Sequence, residues 1–355
     1  KLELNNKIKI SEIHLGGGTP TYLESKHLEK LITGILDKSS LTENFEFSLE
    51  GHPNTTTEEQ LKTLYDLGFK RLSLGVQDFD PVVQEIVNRI QPVETVKRVT
   101  EQARKIGFTS INYDLIYGLP LQKQESVINT IKDVKLLKPD RIAFYAYAHV
   151  PWIKPGQRRF TENDLPIGED KRKLYEIGRT LLEEAGYHEV GMDHFALKSD
   201  SLWSSAKNGS LHRNFMGYTP QQVNPLIGLG VSSIGDSWEI FSQNEKQLEK
   251  YIRRVNGNEL PLLRGHVLNE EDKLIRRHIL NLMTKFKTNW ESNSLKFLNL
   301  DDSLSEFLKD GLVNQTNNSC TITESGLPFI RNICMAFDAR LKRKAPETKL
   351  FSQTI

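Results

Sequence analysis

The chain has 355 residues, 37% apolar and 26% charged, with a net charge of +1 and a mean hydropathy of −0.47. That balance excludes a global field favouring nucleic acid or an anionic membrane surface, and no run approaches a bilayer span. Two cysteines, Cys320 and Cys334, argue against a disulfide framework and place the chain in a reducing compartment, the cytoplasm.

Ile8–Leu15 (IKISEIHL) alternates as a strand and runs into Gly16-Gly17-Gly18-Thr19-Pro20-Thr21. Glycines at a strand exit let backbone N–H and C=O groups touch a ligand, although a tight βα turn explains them equally well. Tyr22–Leu36 reads as a helix on the spacing of Leu23, Leu28, Leu31 and Ile32. Further strands are predicted at Phe45–Leu49, Arg71–Gly75, Ser110–Tyr117, Arg141–Tyr147 and His188–Met192. Between them the pattern predicts helices over Thr56–Leu67 (stopped by Gly68), Pro81–Ile106 (broken near Pro92), Gln124–Leu137 and Asp170–Ala185 (stopped by Gly186). This strand–helix alternation predicts an α/β fold, a partial (β/α)6-type TIM-like barrel, over residues 1–235.

Residues 196–235 are less regular. Helices are predicted over Asp272–Phe286, Leu304–Asp310 and Gly326–Leu341, with a hairpin of Leu312–Asn314 and Thr321–Thr323 around Asn317-Asn318. Residues 236–355 therefore read as a small, mostly helical, winged-helix-like domain. Its last helix is apolar enough to suit packing better than DNA binding.

In parallel α/β folds the ligand lies at the C-terminal ends of the strands. Those ends carry Gly16–Thr19, Glu50-Gly51-His52, Gln77-Asp78, Asp114, Tyr147-Ala148-His149 and Asp193-His194, which argues for a shared site. Plainer readings exist for several of them. Glu50 can act as an N-terminal charge for the helix that follows, and Arg89 can be a solvated helix residue. Asp193 and His194 form either a metal pair or a structural hydrogen bond; Phe144, Tyr145 and Tyr147 suit a barrel core; Lys342–Lys344 suits a solvated face.

GGGTPT (Gly16–Thr21), SLEGHP (Ser48–Pro53), RLSLGVQDF (Arg71–Phe79), Asn88-Arg89 and DLIYGLP (Asp114–Pro120) resemble the radical S-adenosylmethionine enzymes. YAHVP (Tyr147–Pro151), GMDHFA (Gly191–Ala196), LHRNFMGYT (Leu211–Thr219), LIGLGVSSI (Leu226–Ile234) and IRNICMAFD (Ile330–Asp338) narrow the resemblance to oxygen-independent coproporphyrinogen III oxidases. The resemblance covers nearly the whole chain. It implies oxidative removal of carbon dioxide from two propionates of coproporphyrinogen III, giving the vinyl groups of protoporphyrinogen IX. It also implies a [4Fe–4S] cluster and two S-adenosylmethionine molecules as source of a 5′-deoxyadenosyl radical. The implied cofactor contacts are Gly17, Gly18, Thr19, Glu50, Gln77, Arg89, Asp114, Ala148 and Ile234, with Phe215 and Met216 in the second-cofactor region. Related enzymes commonly carry Gln where this chain has Met216. His212 and Arg213 are expected to meet substrate carboxylates, or else to serve as a cap or an internal salt bridge.

The resemblance further implies a one-electron donor such as flavodoxin or ferredoxin with its reductase, a monomer, and no nucleic-acid or membrane partner. One departure stands out. Family members hold the cluster on a Cys-x-x-x-Cys-x-x-Cys loop after the first barrel strand, and this sequence has none. The sequence also starts at Lys1 rather than Met. That first strand and its loop, with a cofactor-contacting tyrosine, are therefore expected to lie outside these residues, which leaves the chain without metal ligands and inactive as it stands. The rival readings are a heme- or porphyrin-binding chaperone of the same superfamily and a phosphate-binding βα barrel.

Overall fold

A computed structural model describes residues 8–291 and 294–343. The chain divides into two compact units, and the division falls between Trp203 and Ser204.

The first unit is built on a seven-stranded sheet. Its strands are β1 (Ile8–Leu15), β2 (Ser39–Gly51), β3 (Phe69–Gln77), β4 (Ser110–Tyr117), β5 (Arg141–Ala146), β6 (His188–Gly191) and β7 (His194–Ala196), in the order β1-β2-β3-β4-β5-β7-β6. Strands β1 to β5 pair in parallel, while β7 pairs antiparallel with both β5 and β6. Six strands thus run in one sense, as expected of a partial (β/α)6-type barrel. The short β7 is an insertion that alternation over three residues could not reveal. Asp193 (φ 61°) makes the turn between β6 and β7.

The crossovers are α1 (Ser25–Leu36), α2 (Glu58–Asp66), α3 (Pro81–Ile86), α4 (Val93–Ile106), α5 (Gln124–Leu137) and α6 (Gly168–Glu184). Local chemistry sets their limits. The Thr57 side chain accepts from Gln60 N–H while the Gln60 side chain accepts from Thr57 N–H, a reciprocal cap that starts α2. Gly107 ends α4 in the left-handed region at φ 119°. Five of them, all but the short α3, lay an apolar stripe on the sheet: Leu28 and Ile32, Leu61 and Leu64, Val96 and Val99, Val127 and Ile131, Leu174 and Leu182. They meet Phe47, Leu49, Leu72, Leu74, Ile111, Tyr113, Ile142 and Phe144 from the strands, all buried. Tyr117, Phe144 and Tyr175 form an aromatic knot with ring centroids 4.9–6.1 Å apart.

The second unit contains a hairpin of His212–Asn214 and Gly217–Thr219 and a three-stranded antiparallel sheet of Ile234–Asp236, Ile240–Asn244 and Leu262–Val267. Helices Glu270–Lys285 and Leu300–Lys309 follow. A ribbon of Lys287–Asn289, Ser319–Ile322 and Val313–Thr316 completes a winged-helix-like arrangement. The sequence placed the division at 235, but residues 204–235 belong with this unit because they are tied to its long helix. Tyr218 donates to the Met283 carbonyl at 2.8 Å, and Arg213 Nη1 reaches the Met283 sulfur at 3.8 Å. The single helix expected over Gly326–Leu341 is divided into a 3-10 segment Glu324–Phe329 containing Pro328, a helix Ile330–Ala336 and a last turn Ala339–Arg343. No helix among the described residues is long and apolar enough to cross a membrane.

Candidate functional site

Alternation gives the parallel strands a second face. Opposite their buried apolar residues stand Glu12 and His14 on β1, Ser48 and Glu50 on β2, Ser73 and Gln77 on β3, and Asn112 and Asp114 on β4, all half-buried. The register sets Ser48 beside His14, Ser73 beside Glu50, and Asp114 beside Gly75.

At the C-terminal edge the glycine loop leaves β1. Gly17 and Gly18 adopt φ 73° and 66°, and a side chain at either would meet nothing within 4 Å. The loop is thus open on its outer side and needs glycine for its backbone alone. A Cβ on Gly16, by contrast, would come 2.5 Å from His14 Nε2 and 3.0 Å from Glu50 Oε1, so its bareness admits those side chains. Thr21 fastens the loop to the end of β2, since its hydroxyl accepts from His52 N–H at 3.3 Å and from the Thr56 hydroxyl at 3.1 Å. Thr19 is half-buried, and its carbonyl accepts from Tyr22 N–H at 2.9 Å.

Glu50 is held from two sides. Oε2 accepts from Gly17 N–H at 3.2 Å, and Oε1 lies 3.4 Å from His14 Nε2, whose Nδ1 is 2.9 Å from Ser48 Oγ. The His14 hydrogen bond keeps this carboxyl below its ordinary range in spite of its burial. Glu50 is therefore not the N-terminal charge of α2; that helix starts on the Thr57 cap.

Asp114 has the opposite character. It accepts from Asn112 Nδ2 at 2.8 Å and Ser73 Oγ at 3.3 Å, yet burial, reinforced by the Glu50 charge, pushes its carboxyl up to about 6. The Asp114 charge also raises the affinity of Arg89 for its proton, although burial of the guanidinium outweighs this. Arg89 lies beyond the end of α3, not on a solvated helix face: Nη2 donates to the Gly75 carbonyl at 2.9 Å and Nε to Gln91 Oε1 at 3.2 Å. Gln91, fully buried, donates to the Gly75 and Val76 carbonyls and so closes the end of β3 beneath it. Gln77, in the left-handed region at φ 71°, ends β3. Ala148 is exposed just beyond β5, its carbonyl accepting from Gln157 Nε2 at 3.1 Å.

The structure thus brings Gly17, Gly18, Glu50, Gln77, Arg89 and Asp114 to one sheet edge. His194 lies in the β6–β7 hairpin, with Nδ1 2.9 Å from the Met192 carbonyl and Nε2 3.3 Å from the Tyr145 hydroxyl, which is a structural use. Phe215, Met216 and Ile234 belong to the second unit. Phe215 and Met216 form the exposed turn of its hairpin, and Ile234, half-buried, begins a strand. His212, beside Arg276, is lowered by burial and then by that charge.

The radical SAM superfamily signature matches residues 1–134. An oxygen-independent coproporphyrinogen III oxidase of Helicobacter pylori J99 is 37% identical over all of this chain and 79% of its own length. The enzyme of the same description from Salmonella typhimurium is 39% identical over 98% of this chain and 77% of its own. The solved coproporphyrinogen III oxidase of Escherichia coli, described as a radical SAM enzyme, superposes with a TM-score of 0.89 at 38% identity, covering 94% of this chain and 79% of that one. The chain belongs to the oxygen-independent coproporphyrinogen III oxidases. The chaperone alternative is not favoured, because these relatives are oxidases by name over the full length compared.

A radical SAM oxidase implies S-adenosylmethionine and a [4Fe–4S] cluster. The strand edge fits the first: an open backbone cradle, an ionised carboxylate, a second carboxyl and a half-buried guanidinium suit a ligand carrying an amino group, a carboxylate and ribose hydroxyls. The residues present do not fit the cluster. The sequence holds two cysteines, both buried thiols of the second unit, and no group of three His, Cys, Asp or Glu able to hold a metal occurs among the described residues. Reading single strand ends passed over His14, Ser48, Ser73 and Asn112. Their signal was the alternation itself: Ser48 and Asn112 stand two positions before Glu50 and Asp114, and His14 and Ser73 are polar among the apolar residues of their strands.

Proposed function

We propose that this oxidase takes coproporphyrinogen III and, without oxygen, removes two propionate carboxyls as carbon dioxide to leave the two vinyl groups of protoporphyrinogen IX. S-adenosylmethionine, when bound, supplies the hydrogen-abstracting chemistry. The chain's residues bind and orient it. Gly17 and Gly18 offer bare N–H and C=O groups to its polar end, with Thr19 beside them. Glu50, ionised, accepts from its amino group or ribose hydroxyls. Asp114 and Gln77 share hydrogen bonds with the same groups, and Arg89 pairs with the methionyl carboxylate. Ala148 and Ile234 border flat apolar parts, and Phe215 and Met216 serve a second S-adenosylmethionine. In this reading an external one-electron carrier of the flavodoxin or ferredoxin kind serves the enzyme as electron donor, and the enzyme is a cytoplasmic monomer.

The observation that carries this reading is the grip on Glu50, a carboxylate fixed by His14 and by Gly17 N–H at the lip of an open glycine loop. Titration calorimetry with S-adenosylmethionine tests it. Losing one charge-assisted hydrogen bond, about 1.5–3 kcal/mol, predicts a roughly 10- to 100-fold weaker Kd for Glu50→Gln, with the melting temperature little changed. Equal affinity of E50Q and wild type would remove the ligand from this edge.

A further inference from the structure

One charged side chain of the second unit lacks the partner that its surroundings demand. Arg213, in the strand His212–Asn214, is half-buried, and its Nε is shut off from solvent with no hydrogen-bond acceptor. Nη1 reaches only the Met283 sulfur, at 3.8 Å, a weak acceptor. The guanidinium lies 5.3 Å from the ring centre of Tyr218, its cross-strand partner. The acid nearest in character is the Cys334 thiol, and burial pushes that up to about 12 even against the Arg213 charge, so it is neutral and no counter-ion. No carboxylate among the described residues pairs with Arg213. Elsewhere in the same unit the rule is kept: Arg276 has Asp236 at 2.9 Å, and Arg340 has Asp272 at 2.5 Å. A half-buried cation surrounded by a thioether, a phenol ring and a thiol is costly unless an anion completes it. Two and three residues further on, Phe215 and Met216 are exposed at the hairpin turn, 48% and 39%, so apolar surface adjoins the charge.

We propose that Arg213 is the anchor for a carboxylate of the tetrapyrrole substrate, a cation left without a protein counter-ion so that the ligand supplies it. The ligand class is an organic polycarboxylate with an apolar body; its identity as a coproporphyrinogen rests on the function proposed above. Burial, and then the Arg276 charge, lower the proton affinity of the neighbouring His212, so Arg213 supplies the charge of this anchor.

The test uses Arg213→Met and Arg213→Lys in the full chain, with coproporphyrin III and its tetramethyl ester as fluorescent probes. Acetate, at matched ionic strength against chloride, serves as a simple anion in thermal melts. R213M should bind coproporphyrin III about ten-fold or more weakly, as expected for the loss of a charge-assisted pair, while the ester binds wild type and R213M alike. R213K should fall between. Acetate should raise the melting temperature of wild type but not of R213M, and ligand-free R213M should melt no lower than wild type, since its removal relieves an uncompensated charge. The proposal is overturned if R213M holds coproporphyrin III as tightly as wild type, or if acetate stabilises both proteins equally. If wild type ignores coproporphyrin III while acetate still distinguishes it from R213M, the anion site stands and the tetrapyrrole reading fails.

Discussion

The two faces of the seven-stranded sheet come from the same residues taken alternately, yet they do different work. On the helix side Phe47, Leu49, Leu72, Leu74, Ile111, Tyr113 and Phe144 are excluded from water. On the other side Glu12, His14, Ser48, Glu50, Ser73, Asn112 and Asp114 stay half-exposed, with His14 bonded to Ser48 and Glu50 and Ser73 to Asn112 and Asp114 across neighbouring strands. Because side chains of a strand alternate strictly, stability and chemistry are separated by one residue rather than by distance along the chain. The backbone that carries the carboxylates is anchored by the apolar layer directly behind them.

This separation can be broken most severely from the apolar side. Phe144 lies against Tyr117 and Tyr175, and a Cβ on Gly178 of α6 would come 2.4 Å from its ring, so α6 packs directly on it. Truncation leaves a cavity behind β5 that rigid neighbours cannot fill. Phe144→Ala should cost about 3–5 kcal/mol of unfolding free energy in urea denaturation. The molecules that remain folded should bind S-adenosylmethionine within about two-fold of wild type, since Phe144 points away from the polar face; this margin is about 0.4 kcal/mol. A large loss of affinity per folded molecule would mean that the two faces are not separable.

The opposite perturbation tests the polar side. Burial holds the Asp114 carboxyl up at about 6, against 3.8 for the ordinary group. The folded protein therefore keeps this proton through a pH range where the unfolded chain has lost it. Asp114 supports folding below about pH 4, and that support fades as pH rises to about 6; above that the ionised group is a fixed penalty. Asp114→Asn removes the titration. Its stability relative to wild type should thus improve between pH 4 and pH 7, by on the order of 1 kcal/mol. At the same time its affinity for S-adenosylmethionine should fall. Parallel pH profiles of the two proteins would show that Asp114 titrates as in the unfolded chain.

Much of this arrangement was readable beforehand, and where it was not, the reasons are physical. β1, β4 and α5 have the limits that the sequence predicts, because each combines a clean period with abrupt polar ends. Gly68 and Gly186, the predicted helix stops, take φ 103° and 90°, and Pro92 divides α3 from α4 as its missing N–H requires. The first half of β2, from Ser39 to Asn44, left no trace because half of it is exposed and no face is selected. The same holds for the strand Leu262–Val267, exposed along its whole length. Carboxylates at strand ends pointed to the site. The grip on them did not show, because it lies in pairs such as His14 with Glu50, whose register depends on how β1 and β2 are joined and not on either strand alone. Nor could spacing show that no carboxylate among the described residues pairs with Arg213.

The smallest perturbation sharpens the division from a third direction, since it touches neither face. Thr57 starts α2, accepting from Gln60 N–H at 3.2 Å, while the Gln60 side chain accepts from Thr57 N–H at 2.9 Å. Gln60 does more: its Nε2 donates to the Thr21 and Leu23 carbonyls, at 2.9 and 2.7 Å, just beyond the glycine loop. Thr57→Ala deletes one half of the cap and should cost about 1 kcal/mol of stability in denaturant titration. Because Gln60 is also held by those two carbonyls, the loop should keep its place and S-adenosylmethionine affinity should not change. If T57A weakened binding in proportion to its stability loss, the cap of α2 would belong to the site, and the loop would owe its position to the helix as much as to Glu50.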